Sequence, residues 1–176
     1  MIRLNDREFC GIVAYIRDNY GINLEKKQVL IECRMARELE KRGLTSFAQY
    51  MEQMRSDRTG EMAGEMVNRL TTNYTYFMRE PAHFSILNDK ILPELFESRN
   101  MGICNIWSAG CATGEEVYSM AMLIQEYREK CERMPGIRIL ATDISGEVLR
   151  KAERGVYPLK EMGCSLKFLK MCAYQS

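Results

Sequence analysis

No apolar run in the 176 residues approaches the length needed to cross a bilayer, and the opening Met1-Ile2-Arg3-Leu4-Asn5-Asp6 is not a signal peptide. A cytoplasmic location is the expectation. Net charge is nearly absent too, with 25 Lys and Arg against 24 Asp and Glu. The molecule as a whole therefore has no strong pull toward nucleic acid or anionic lipid, and any electrostatic role must lie in a local patch. Histidine occurs once, at His83, and no CxxC pair is present, so a zinc site is not expected. The seven cysteines are odd in number and irregularly spaced, which suits idle thiols in a reducing compartment better than a disulfide framework. There is no internal repeat and no low-complexity tract. What is there, 46% apolar and 28% charged residues, is a globular composition, long enough for one domain or for a small domain plus part of another.

From Asn5 to about Leu70 the pattern predicts successive helices. Asn5 is placed to cap the first, with Glu8 completing a capping box and Gly21 just past the end. Phe9, Ile12, Val13 and Ile16 share one face at helical spacing. A second helix is expected over roughly Lys26 to Arg42, a third after Thr45-Ser46 and a fourth around Glu61 to Leu70. The second carries Lys27, Arg34, Arg37, Lys41 and Arg42, with 27, 34 and 41 in one row and 37 adjacent, so one face is basic. Glu25, Glu32, Glu38 and Glu40 interleave with these cations, and a plain solvated face is the competing reading.

The character changes near Thr71. A polar-aromatic stretch leads to Pro81, a favoured first helical residue, and the helix it opens holds Phe84, Leu87, Ile91 and Leu95. A short apolar strand follows over 103–107, then the glycine-bearing loop 108–114, a long helix from Glu115 to about Arg133, and a second strand over 137–142 ending on Asp143. A last helix, Ser145 to Arg154, stops at Gly155. Strand, glycine loop, helix, strand and acidic residue make one βαβ unit and imply a parallel sheet.

A glycine turn between strand and helix brings backbone N–H groups and the positive helix end close to a ligand. Gly110 and Gly114 supply that turn, and Asp143 supplies a carboxylate placed to accept from ribose hydroxyls. The fold itself is not expected to need a carboxylate there. Glu115 and Glu116 follow at once. They would repel a pyrophosphate and suit a cationic group, such as the ammonium of a methionine moiety, which favours S-adenosylmethionine over NAD. Alternatively the two glutamates merely favour the helix N-terminus.

Three blocks carry a resemblance. Thr71-Thr72-Asn73-x-Thr75-x-Phe77-x-Arg79-Glu80 followed by His83-Phe84, the loop Trp107 to Ser119 with its Gly114-Glu115-Glu116, and Ala141-Thr142-Asp143-Ile144-Ser145 with Leu149, Ala152, Gly155 and Tyr157 are similar to the ordered signatures of the CheR family. The resemblance implies a chemotaxis-receptor glutamate methyltransferase using S-adenosylmethionine. Its fold would be an all-α N-terminal domain followed by the first part of an α/β doubly wound, Rossmann-like methyltransferase domain. The expected division is 1–75 for a helical receptor-recognition domain and 76–176 for a partial cofactor-binding domain. By the same resemblance Asn73, Thr75 and Arg79 contact the cofactor or line the transfer site, with Arg79 the catalytic candidate. Gly110 belongs to the cofactor loop, a glutamate of the Glu115-Glu116 pair binds the methionine end, and Asp143 binds ribose. The basic face of Lys27, Arg34, Arg37 and Lys41 is expected to meet the cytoplasmic helices of methyl-accepting receptors, and the enzyme to be a monomer. Without the resemblance Asn73 and Thr75 would be read as turn and cap residues, Arg79-Glu80 as a local ion pair, and His83 as a packing residue.

The resemblance has departures. Met78 stands for a family phenylalanine and Val117 for a proline. It is expected to stop near Pro158, leaving Leu159 to Ser176 without a counterpart, as in a frameshifted or truncated ending. Family members continue through further strands, one with an Asn-Leu pair and one with a Cys-Arg-Asn-Val run. The alternative expectation is therefore an inactive remnant that keeps only receptor binding through its helical domain.

Overall fold

The computed structural model describes residues 2–97, 102–131 and 135–161. The chain divides into two compact units, one formed by Met1–Thr72 with Ile144–Gly146 and the other by the remainder.

The first unit is built from α1 (Asp6–Tyr20), α2 (Gln28–Lys41), α3 (Phe47–Ser56) and α4 (Glu61–Leu70). The expected capping box is present. Asn5 accepts from the Glu8 amide, the Glu8 side chain accepts from the Asn5 amide, and Gly21 closes the helix in the left-handed region at φ 69°. Ser46 caps α3 by accepting from Gln49 N–H. The start of α4 is held differently, by Asp57, whose carboxylate accepts from the amides of Thr59 and Met62 at 2.8 and 2.9 Å. Those bonds, led by the one from the Thr59 side chain, hold the Asp57 carboxyl below its ordinary value. The apolar faces meet in one core that includes Ile12, Ile16, Ile31, Met35, Leu39, Phe47, Tyr50 and Met66, all essentially buried. Burying a side chain the size of Phe47 contributes about 1.5–3 kcal/mol.

Polar side chains join α2 to α4. Glu38 is 2% exposed and accepts from both Arg42 and Arg69, and Glu65 accepts from the same two arginines at 2.6 and 2.9 Å. Two acids and two bases thus close a ring between the helices. A carboxylate as buried as Glu38 is tolerated because two guanidinium groups compensate it. One nitrogen of Arg34 donates to the carbonyls of Arg69, Leu70 and Thr71 at 2.8 to 3.1 Å, satisfying the otherwise unpartnered C-terminal turn of α4.

The second unit opens with α5 (Pro81–Ile86), a π-helical turn (Leu87–Ile91) and α6 (Leu92–Glu97), which run on from one another. The sequence pattern alone predicted a uniform helix here with Ile91 on its apolar side. The structure instead leaves Ile91 43% exposed and Leu92 fully buried. Pro93 explains the shift. It has no N–H for the helical ladder and its ring crowds the preceding turn, and the widened turn just before it, closed by Leu92 N–H to the Leu87 carbonyl, advances the buried face by one residue. Phe96 of α6 packs edge-on against Tyr127, with ring centroids 5.0 Å apart.

Then come β1 (Ile103–Ala109), α7 (Glu115–Arg128), β2 (Gly136–Thr142) and α8 (Gly146–Arg154). α7 ends at Arg128, with Glu129 as its C-cap, about one turn short of the expected end near Arg133. The two strands pair in parallel from Ile103 opposite Gly136 to Ala109 opposite Thr142. One face carries Cys104, Ile106, Ser108, Ile137, Ile139 and Ala141, all at least half-buried. On the other face Ile103, Trp107 and Leu140 are 59%, 68% and 58% exposed, so among the described residues only one side of this sheet is covered. No described helix is long and apolar enough to cross a membrane.

Candidate functional site

β1 and β2 run side by side, and their carboxyl ends deliver the glycine loop and Asp143 to the same place. The carbonyl of Thr142, last residue of β2, accepts from Gly110 N–H at 2.8 Å and from Cys111 N–H at 2.9 Å. Gly110 turns with φ 78°, Ala112 with φ 46° and Gly114 with φ 97°. The loop then closes on itself through Gly114 N–H to the Cys111 carbonyl, and α7 starts with Tyr118 N–H donating to Gly114.

Ala112 is the strained member, because a left-handed conformation is unfavourable for a residue with a Cβ. Its amide donates to Asp143 Oδ2 at 2.8 Å, and that charged bond offsets the strain. This corrects the expectation that the fold has no use for a carboxylate at 143. Asp143 anchors the loop. Cys111 beneath it is buried, and burial, with Asp143 adding to it, pushes the thiol above its ordinary value. It stays a protonated packing group.

Glu115 and Glu116 take different positions at the start of α7. Glu115 is buried and accepts from the Thr113 hydroxyl at 2.5 Å. Glu116 is exposed and accepts from the Ser108 hydroxyl, at the end of β1, at 2.8 Å. Two carboxylates beside an N-terminal helix turn make a local field hostile to pyrophosphate and compatible with a cationic group.

The segment 73–80 is drawn onto the same helix start. Met78 N–H donates to the Ser119 hydroxyl at 3.0 Å, and that hydroxyl, fully buried, donates in turn to the Glu115 carbonyl at 2.6 Å. Met78 and Glu80 are the other two non-glycine residues with positive φ among those described, at 56° and 58°. Strain of this kind, about 1–3 kcal/mol per residue, persists where surrounding contacts over-determine the backbone. Asn73 and Thr75 are half-buried, whereas Arg79 is exposed and donates to the Tyr74 carbonyl at 2.9 Å. A cleft of about 320 Å³ nearby is lined by Gly114, Val117, Tyr118, Ala141, Leu149, Ala152 and Glu153, and takes in none of the residues expected to bind a cofactor.

Of the four cations expected to face a receptor, Lys27, Arg37 and Lys41 are exposed on the first unit, while Arg34 is half-buried against the end of α4. Lys27 and Arg34 share a groove of about 640 Å³ with Phe9, Val29, Leu30 and Cys33. Sequence reasoning passed over Ser108, Thr113, Ser119 and Tyr157 as site residues. All four lay inside the matched motifs, and that was the one signal available for them.

A parallel βαβ unit with a left-handed glycine turn, an acid-flanked helix start and a carboxylate at the neighbouring strand tip defines a nucleoside-cofactor domain of the methyltransferase type. Comparison with known proteins agrees. Residues 7–71 match the family model described as CheR methyltransferase, all-alpha domain, and residues 73–173 match CheR methyltransferase, SAM binding domain. The chain belongs to the CheR methyltransferase family. It is 40% identical over 175 residues to a chemotaxis protein methyltransferase of Borreliella burgdorferi, covering 97% of this chain and 62% of that protein. It is 33% identical over 159 residues to chemotaxis protein methyltransferase 1 of Pseudomonas aeruginosa, covering 89% and 54% respectively. A third relative, chemotaxis protein methyltransferase 2 of Vibrio cholerae, is 31% identical over 162 residues, 92% of this chain and 56% of its own. The chain thus spans between 54% and 62% of the length of these relatives. The expectation that residues after Pro158 have no counterpart is overturned, because the family match runs to residue 173. That stretch holds no compact motif by which it could be picked out, and residues 162–176 lie outside those described.

Proposed function

We propose that this chain is the receptor-recognition domain and the front of the catalytic domain of a protein-glutamate O-methyltransferase, acting on the cytoplasmic helices of methyl-accepting chemotaxis receptors. The observation that carries this reading is the convergence of Gly110, Glu115, Glu116 and Asp143 at the carboxyl ends of two parallel strands, in a chain that matches the SAM-binding family model.

The donor set fits S-adenosylmethionine, which supplies an electrophilic methyl group when bound. Glu116, exposed and steadied by Ser108, suits the ammonium of the methionine end, with buried Glu115 adding negative field behind it. Asp143 suits the ribose hydroxyls, and the open space over Gly110, where an added Cβ would meet nothing within 4 Å, leaves room for a ligand to approach the backbone. Asn73 and Thr75 lie on the segment that Met78 ties to Ser119, which supports a role for them beside the donor. Arg79 on the same segment is exposed and has the charge to hold an incoming carboxylate. A substrate glutamate is already ionised at neutral pH, its reference pKa being about 4.3, so no residue of this chain needs to remove a proton from it. What these residues must do is align the carboxylate and exclude water. On the first unit, Lys27, Arg37 and Lys41 form a cationic surface suited to acidic receptor helices.

Two measurements test this. Titration of the chain with S-adenosylhomocysteine by calorimetry should show binding. Incubation of the enzyme with methyl-labelled cofactor and receptor fragments should place label in base-labile methyl esters. Label recovered only on lysine or on nucleic acid would refute the proposal.

A further inference from the structure

Two tyrosines and two glycines interlock behind the cofactor loop. The hydroxyl of Tyr157 donates to the Thr113 carbonyl at 2.6 Å, and a Cβ added to Gly114 would lie 2.7 Å from that hydroxyl and 2.8 Å from the Cβ of Ala152. Reciprocally, the hydroxyl of Tyr118 donates to the Ala152 carbonyl at 3.0 Å, and a Cβ on Gly155 would lie 2.5 Å from it. The segment that starts α7 and the segment that ends α8 therefore each seat a tyrosine on the other's glycine. Both glycines also have positive φ, 97° and 61°, so neither position accepts a side chain. The two rings lie 5.5 Å apart, and Phe77 meets the Tyr157 ring edge-on at 5.0 Å. Tyr157 thus contacts the glycine loop, α7 and the segment that bears Asn73, Thr75 and Arg79.

We propose that Tyr157 is a positioning residue of the methyl-donor site. Its hydroxyl fixes the Thr113 carbonyl, and so the direction in which Gly114 launches Glu115 and Glu116, while its ring sets the depth of the 73–79 segment through Phe77. This rests on the cofactor reading given above. The geometry requires a donor at this point. Thr113 follows the left-handed Ala112 and precedes the left-handed Gly114, so its carbonyl is turned out of any helical ladder and would otherwise stay unpartnered behind the loop. Burial, with the charge of Glu115 next, pushes the Tyr157 phenol well above its ordinary value, so it remains a donor at every working pH. Tyr118 makes the same kind of bond in the same cluster, but to α8 rather than to the loop, and is the internal control.

The test compares Tyr157→Phe with Tyr118→Phe in the 176-residue chain, reading amide hydrogen exchange and S-adenosylhomocysteine affinity. In Tyr157→Phe the Ala112 and Gly114 amides should exchange about tenfold faster and the affinity should fall about tenfold, the size of effect one hydrogen bond commands. In Tyr118→Phe the acceleration should appear instead at the Gly155 amide, which bonds to Lys151 and Ala152, with affinity within about twofold of the parent. Parental exchange of Ala112 and Gly114 in Tyr157→Phe would overturn the proposal, as would an equal loss of affinity in both variants. A parent chain that binds no S-adenosylhomocysteine would count against the cofactor reading itself. The exchange comparison would then still decide whether Tyr157 positions the loop.

Discussion

Asp143 and Ala112 lie 31 residues apart in sequence and meet at 2.8 Å, carboxylate oxygen to amide, at the point where the loop backbone is left-handed. The same carboxylate is the group proposed to bind ribose, so loop shape and ligand affinity depend on one side chain. Removing it confounds the two roles. An Asp143→Asn variant separates them, because the amide oxygen still accepts from Ala112 while the charge is gone.

Asp143→Ala should therefore lower both the melting temperature and the affinity for S-adenosylhomocysteine, whereas Asp143→Asn should restore most of the melting temperature and little of the affinity. The affinity loss expected for a charged acceptor is about 1.5–3 kcal/mol. Scanning calorimetry and titration calorimetry on the three proteins read the two quantities separately. An Asn variant that binds as tightly as the parent would refute the ribose role.

Glu65, paired with Arg42 and Arg69, should contribute to the acid stability of the first unit. Burial acts to raise the Glu65 pKa, but the hydrogen bonds from Arg69 and Arg42 outweigh it, and the carboxyl is held below its ordinary 4.5. A carboxyl held low in the native state contributes fully above pH 4.5 and loses that contribution as pH falls through the native value. Melting temperature should thus be flat near neutrality and fall below about pH 4.5, with Asp57 adding to the slope, and Glu65→Gln should flatten the fall. Glu38→Ala removes the buried acceptor shared by Arg42 and Arg69 but leaves both paired with Glu65, and should cost about 1–3 kcal/mol at neutral pH, below the range for fully broken buried pairs because both arginines keep a carboxylate and are about one-third exposed. An unchanged acid limb in Glu65→Gln would contradict the assignment.

Substitutions on the basic face should split into two kinds. Arg34→Ala removes three bonds to the end of α4 and should destabilise the first unit by about 1–3 kcal/mol, so any loss of receptor binding it causes is ambiguous. Lys27→Glu, Arg37→Glu and Lys41→Glu change exposed side chains and should leave the melting temperature within about a degree or two. If the proposed receptor surface is correct, these three together should weaken binding to receptor fragments, most strongly at low salt. Binding indifferent to all three reversals, and to ionic strength, would remove this face from the interface.

Features decided within a few residues were legible in the sequence. The Asn5–Glu8 box, the Gly21 stop and the bounds of α4 matched, because caps and apolar periodicity act over one or two helical turns. The π turn before Pro93 was missed because periodicity was extended through a residue that cannot continue the helical ladder. Both strands were found but ran one or two residues further than expected, since Ser108, Ala109 and Gly136 join the ladder through pairing with the other strand rather than through their own preference.

By itself the sequence determined the order of elements, the glycine turn, the acidic residues flanking it and the family to which they belong, all of which depend on local backbone rules and short motifs. Only the tertiary structure decided which polar side chains are used up inside the fold. Arg34 turns from the basic row to the α4 carbonyls, Glu38 is buried between two arginines, and Tyr157 reaches back 44 residues to Thr113. The physical reason is that a buried donor or acceptor must find a partner wherever packing brings one, and no spacing along the chain records where that will be.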